Sequence, residues 1–75
     1  ENAVDFSVSP NPVTDVLTIQ STESIHVVRI YNVQGALLTT ISFTETIDVS
    51  DFPAGIYMIE CLSTNGSAIK RVVKR

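Results

Sequence analysis

Apolar and polar residues alternate over short stretches of the chain, and turn-forming residues separate the stretches roughly every 8–12 positions. That spacing predicts an all-β sandwich or barrel. Val4, Phe6 and Val8 alternate with Asp5, Ser7 and Ser9, which predicts a half-buried first strand. Pro10-Asn11-Pro12 ends it, because two prolines fix φ and remove two donors from any ladder. Residues 15–20 place Leu17 and Ile19 on one face, and 21–24 read as a polar loop. In the third strand, 25–31, Val28 and Ile30 share one face while Ile25 and Val27 share the other. A bulge, or a strand buried on both sides, reconciles the two sets.

Asn32-Val33-Gln34-Gly35 predicts a tight hairpin into a fourth strand, 36–42, with Gly35 free to take φ > 0. Residues 46–50 bury Ile47 and Val49, and Asp51-Phe52-Pro53-Ala54-Gly55 reads as a corner with Phe52 turned inward. Residues 56–62 send Tyr57, Ile59 and Cys61 to the core and Glu60 outward. Thr64-Asn65-Gly66 is a turn into a last strand, 67–74, of undecided register. Seven strands with hairpin-length connections make the sheets mainly antiparallel. No helical period, internal repeat or low-complexity segment interrupts them.

Composition supports the same class. Val, Ile and Thr number 10, 8 and 8 among 75 residues, and β-branched side chains suit a pleated, half-buried surface. No apolar run approaches the ~20 residues that span a bilayer. The polar, acidic start does not read as a signal peptide, so the chain reads as a piece of something longer or a mature form. With one cysteine and one histidine, neither a disulfide nor a Cys/His metal shell can be built within the chain.

Charge changes the picture more. Residues 1–69 carry eight acids and one base, Arg29, for −7, whereas 70–75 carry Lys70, Arg71, Lys74 and Arg75 for +4. An acidic body argues against nucleic-acid binding, which wants a distributed basic face. A basic end on an acidic body suggests a terminus read by a partner.

The order of these motifs resembles one family. Pro10-Asn11-Pro12 is followed by the strand with Leu17 and Ile19, and then by the stretch from Val28 through Gly35 to Leu37. Ile47-Asp48-Val49-Ser50 then leads into Phe52-Pro53-Ala54-Gly55-Ile56-Tyr57, and Gly66 precedes Lys70-Arg71-Val72-Val73-Lys74-Arg75. Over residues 4–75 this is similar to the type A C-terminal sorting domain of the type IX (Por) secretion system of Bacteroidota. Ser9 stands where the family often has an aromatic, and Phe52 where Leu is commoner.

The resemblance implies an Ig-like seven-stranded β-sandwich, with 1–75 as a single sorting domain at the C-terminus of a secreted cargo. It implies transit through the periplasm, then delivery to the cell surface or the medium. The implied partners are the N-terminal cargo, the type IX translocon with its outer-membrane shuttle proteins, and a sortase-like cysteine peptidase. That peptidase would cut at or upstream of Glu1. Lys70, Lys74 and Arg75 match the family's terminal basic positions, with Val72 and Val73 between them, and the resemblance ties this segment to translocon recognition. A terminal strand can add a free edge to a partner's sheet, with its charges fixing orientation. The plainer reading of the same charges is that Lys and Arg on an edge discourage aggregation.

The other candidates read as structural. Pro10, Asn11 and Pro12 set the end of the first strand, and Gly35, Gly55 and Gly66 are turn positions. Pro53, Gly55 and Tyr57 act through folding, Tyr57 as the hydrogen-bonded aromatic of a sandwich corner. His26 has no acid at i±2 and reads as solvated; Cys61 reads as a buried, inert thiol. Asp5, Asp15, Asp48 and Asp51 lie on turns and outer faces without calcium-loop spacing. No nucleophile–base pair or phosphate-binding loop emerges, so neither an enzyme nor a cofactor is expected. A structural or adhesive Ig-like or fibronectin-like surface module is the main competing reading. A carbohydrate-binding module is weaker, since there is no Trp and Tyr31 and Phe43 are too few for a platform. An exposed sheet edge offers a route to dimers.

Overall fold

The structure, a computed structural model, describes residues 5–22, 24–64 and 66–75. The expectations for Val4, for Glu23 in the 21–24 loop and for Asn65 lie outside them. Seven strands form: β1 (Phe6–Ser9), β2 (Val16–Ser21), β3 (Ile25–Asn32), β4 (Leu37–Ser42), β5 (Thr46–Asp48), β6 (Gly55–Ser63) and β7 (Gly66–Lys74). They build a three-stranded sheet, β1-β2-β5, and a four-stranded sheet, β4-β3-β6-β7. All the strand pairings are antiparallel. The two sheets pack as the sandwich expected from the alternation.

The core lies between them. Phe6, Leu17, Ile19 and Ile47 come from the smaller sheet; Val28, Ile30, Tyr57, Ile59, Cys61 and Val72 come from the larger. In β1, β2 and β6 the inward residues are those the period-2 pattern selects. In β3 the conflict between Ile25 and Val28 is settled by a bulge. Pairing with β6 slips between Ile25, which faces Ser63, and Val27, which faces Leu62. His26 is the additional residue, so Ile25 turns onto the buried face with Val28 and Ile30. Val27 is only half-buried.

Two local side-chain bonds set element ends. Asn32 Oδ1 accepts from the Gln34 and Ala36 N–H groups at 2.9 and 3.0 Å and shapes the β3–β4 hairpin. Asp48 Oδ1 accepts from Ser50 N–H at 2.9 Å, which diverts that donor from the ladder. β5 therefore stops at Asp48, short of the 46–50 expected, although Val49 stays buried.

Candidate functional site

β7 forms one edge of the larger sheet and pairs along its length with β6, from Ser63↔Gly66 to Gly55↔Lys74. Its undecided register is now fixed by packing. Val72 and Lys74 face inward, at 3% and 8% exposure, and Val73 and Arg71 face outward. The Lys74 stem borders an apolar gap beside Val13, Leu17, Tyr57 and Val72, and its Nζ donates to the Arg75 carbonyl at 3.0 Å. A lysine can bury methylenes in this way while its ammonium keeps a polar partner. Lys70 is exposed and stands 5.7 Å from the Phe6 ring centroid, within cation–π reach. Arg71, opposite Met58, and Arg75 are exposed, and neither makes an ion pair among the described residues.

The free edge expected for this strand is partly filled. Val13 N–H donates to the Val73 carbonyl at 2.8 Å, and Arg75 N–H donates to the Val13 carbonyl at 2.9 Å. These bonds make a short parallel bridge of Val13 with Lys74. Val73 N–H donates to Asn11 Oδ1 at 3.0 Å, and Asn11 Nδ2 donates to the Arg71 carbonyl at 3.5 Å. Strand addition over 71–75 is therefore blocked by the chain's own Pro10-Asn11-Pro12-Val13 segment, while Ser67 and Ile69 have no neighbouring strand on that side among the described residues. Pairing across some sixty positions leaves no local trace in the periodicity or turn chemistry of either segment. The available signal was an asparagine, whose amide can stand in for a peptide, between two residues that lack N–H groups.

The other motif residues hold the frame. Tyr57 Oη donates to the Pro53 carbonyl at 2.6 Å, and its ring lies 5.2 Å from Phe52 at 45°. This is the hydrogen-bonded corner expected of Tyr57. Gly35 has φ +88° with nothing within 4 Å of where a Cβ would stand, so its backbone, not crowding, calls for glycine. Gly55 and Gly66 open β6 and β7. Ser9–Pro10 and Asn11–Pro12 are both cis.

Residues 7–75 match the family described as the secretion system C-terminal sorting domain. The chain belongs to this family. A beta-agarase D of Zobellia galactanivorans is 34% identical over 69 residues, which is 91% of this chain and 14% of the agarase. No solved structure matches the chain. The sorting domains of this family are type IX secretion signals carried by cargo proteins, generally non-catalytic, and they imply export to the cell surface or secretion.

Cys61 is fully buried, and burial, with a smaller push from the neighbouring Glu60 charge, raises its thiol to about 11. A thiol so protonated is a poor nucleophile at neutral pH. His26 is exposed, and its Nε2 shares a 2.9 Å hydrogen bond with Thr64 Oγ1. Asp48 is held below its usual value by the Ser50 hydroxyl and then by the Ser50 N–H. Among the described residues no three of His, Cys, Asp and Glu are grouped to hold a metal. On the outer face Arg29 Nη1 lies 3.7 Å from Glu60 Oε1, which also accepts from Tyr31 Oη at 2.8 Å.

Proposed function

We propose that the domain is a non-catalytic address, read through its basic end, that directs an N-terminal cargo across the outer membrane by the type IX route. One observation carries this reading. Four of the chain's five bases lie within 70–75, on an ordered strand fastened at both edges to an otherwise acidic body. Charges fixed on such a frame present one geometry to an oppositely charged partner surface, at little entropic cost. Arg71, Val73 and Arg75 stand outward, Lys70 is exposed at the sandwich margin over the Phe6 ring, and these side chains supply the contacts. Val72 and Lys74 face inward and hold the strand in register. Residues 1–75 act as one unit, carried through the periplasm and released by a sortase-like peptidase at or upstream of Glu1.

Deleting 70–75 would be the natural test from sequence, with most of the fold expected to survive. Because Val72 lies in the core and β7 pairs with β6 here, that deletion strips structure as well as signal. Substitution of exposed charges separates the two. The chain is fused behind a periplasm-directed fluorescent reporter in a type IX-competent bacterium, beside a triple variant, Lys70→Glu, Arg71→Glu and Arg75→Glu. The expected outcome is surface or medium fluorescence for the unmodified fusion, and periplasmic retention of a folded triple variant. Retention of both folded fusions, or export of both, would sink the proposal.

A further inference from the structure

Two segments singled out separately by their composition, Pro10-Asn11-Pro12 and the basic end, form one structural unit. Four hydrogen bonds join 11–13 to 71–75, two from the Val13 backbone and two from the Asn11 side chain. An asparagine amide offers a C=O acceptor and an NH2 donor, and so can present the same acceptor–donor pair that a peptide of a neighbouring strand would offer. Here it gives Oδ1 to the Val73 N–H and Nδ2 to the Arg71 carbonyl. The flanking prolines explain why a side chain does this. Neither has an N–H, so no regular ladder can run through 10–12. Asn11 also precedes a proline, which confines its backbone to extended conformations and lowers the entropy lost on docking. Asn11 is itself exposed, so its amide is not needed to fill the core.

We propose that Asn11 is a positioning residue for the export signal: its amide closes the edge of β7 at 71–73 and presents the basic end as a finished strand. This deepens the reading above and rests on it. A partner then recognises the side chains standing off that strand, not its backbone edge. The two modes differ in sign. If a partner added its own strand to this edge, uncovering the edge would leave recognition unchanged or strengthen it. If the partner reads side chains on a closed strand, uncovering the edge weakens recognition.

The test uses the full chain in the reporter fusion, with amide hydrogen exchange on the same chain. Asn11→Ala should speed exchange at the Val73 amide about tenfold, the size of one net hydrogen bond, with the Ile30 and Ile59 amides unchanged. Export should fall by a similar factor. Asn11→Asp keeps the acceptor for Val73 and loses the donor to the Arg71 carbonyl, so it should restore Val73 protection and recover export in part, a rescue that separates positioning from mere occupancy. Should Asn11→Ala lose core protection, Asn11→Leu, which keeps the side-chain volume, replaces it with the same expectations. Faster Val73 exchange with export equal to or above that of the unmodified chain overturns the proposal, as does unchanged Val73 exchange. If the unmodified fusion stays in the periplasm, the sorting reading falls and this one with it.

Discussion

Tyr57 shows how much one hydroxyl does at the residue scale. Its 2.6 Å bond to the Pro53 carbonyl closes the corner between β5 and β6, and its ring fills the core beside Phe52. Tyr57→Phe keeps the ring and leaves the carbonyl without its donor. We expect a loss of about 1–2 kcal/mol, which lowers Tm by roughly 4–8 °C per kcal/mol in a domain this small, measured by circular dichroism. An unchanged Tm would show that water replaces the hydroxyl. Cys61 gives the second residue-scale expectation. In the folded chain it should resist a thiol reagent at pH 8 and react fully in denaturant. Its thiol is raised from about 9 to about 11 on folding. The unfolded chain therefore loses that proton first as pH rises. The thiol's contribution is fully present below pH 9 and is lost by about pH 11. Comparing denaturant midpoints of the chain and Cys61→Ala across that window should show a steeper alkaline fall for the unmodified chain. Parallel curves would contradict the burial argument.

At the scale of elements, the β3–β4 hairpin depends on the left-handed Gly35 and on the Asn32 carbonyl oxygen that gathers two N–H groups. Gly35→Ala meets no atom, so its whole cost is backbone conformation, about 1 kcal/mol. Urea unfolding should show that loss, and Gly35→Asn, which tolerates the same φ, should lose less. Equal stability of the Ala variant would mean that the hairpin relaxes elsewhere. This hairpin was legible because its chemistry lies within five residues. The β3 bulge was legible only as a conflict between two apolar pairs. Choosing a bulge over double-sided burial needed β6, because the slip at His26 exists only relative to Ser63 and Leu62.

For the whole molecule, the last strand is both signal and structure. Removing 70–75 takes Val72 from the core, the ladder from Ile59↔Lys70 to Gly55↔Lys74, and every bond to 11–13. We expect the truncated chain to lose its cooperative thermal transition, whereas the triple charge reversal at Lys70, Arg71 and Arg75 keeps it. A cooperative melt of the truncated chain would show that the edge strand is dispensable to the sandwich. Export defects from truncation and from charge reversal therefore have different origins, and only the second speaks to recognition.

By itself the sequence determined the strand count, the inward faces of β1, β2 and β6, the β3–β4 hairpin, the corner at Tyr57 and the charge split between body and end. Each follows from local periodicity, local turn chemistry or simple counting. The tertiary structure alone decided which face of β7 is buried, that Lys74 lies inward while Arg71 stands out, and that Asn11 and Val13 cover the edge of the basic strand. The physical reason is that register and edge occupancy belong to pairs of segments. Here the paired segments lie some sixty residues apart, and only a closed sandwich brings them within hydrogen-bonding distance.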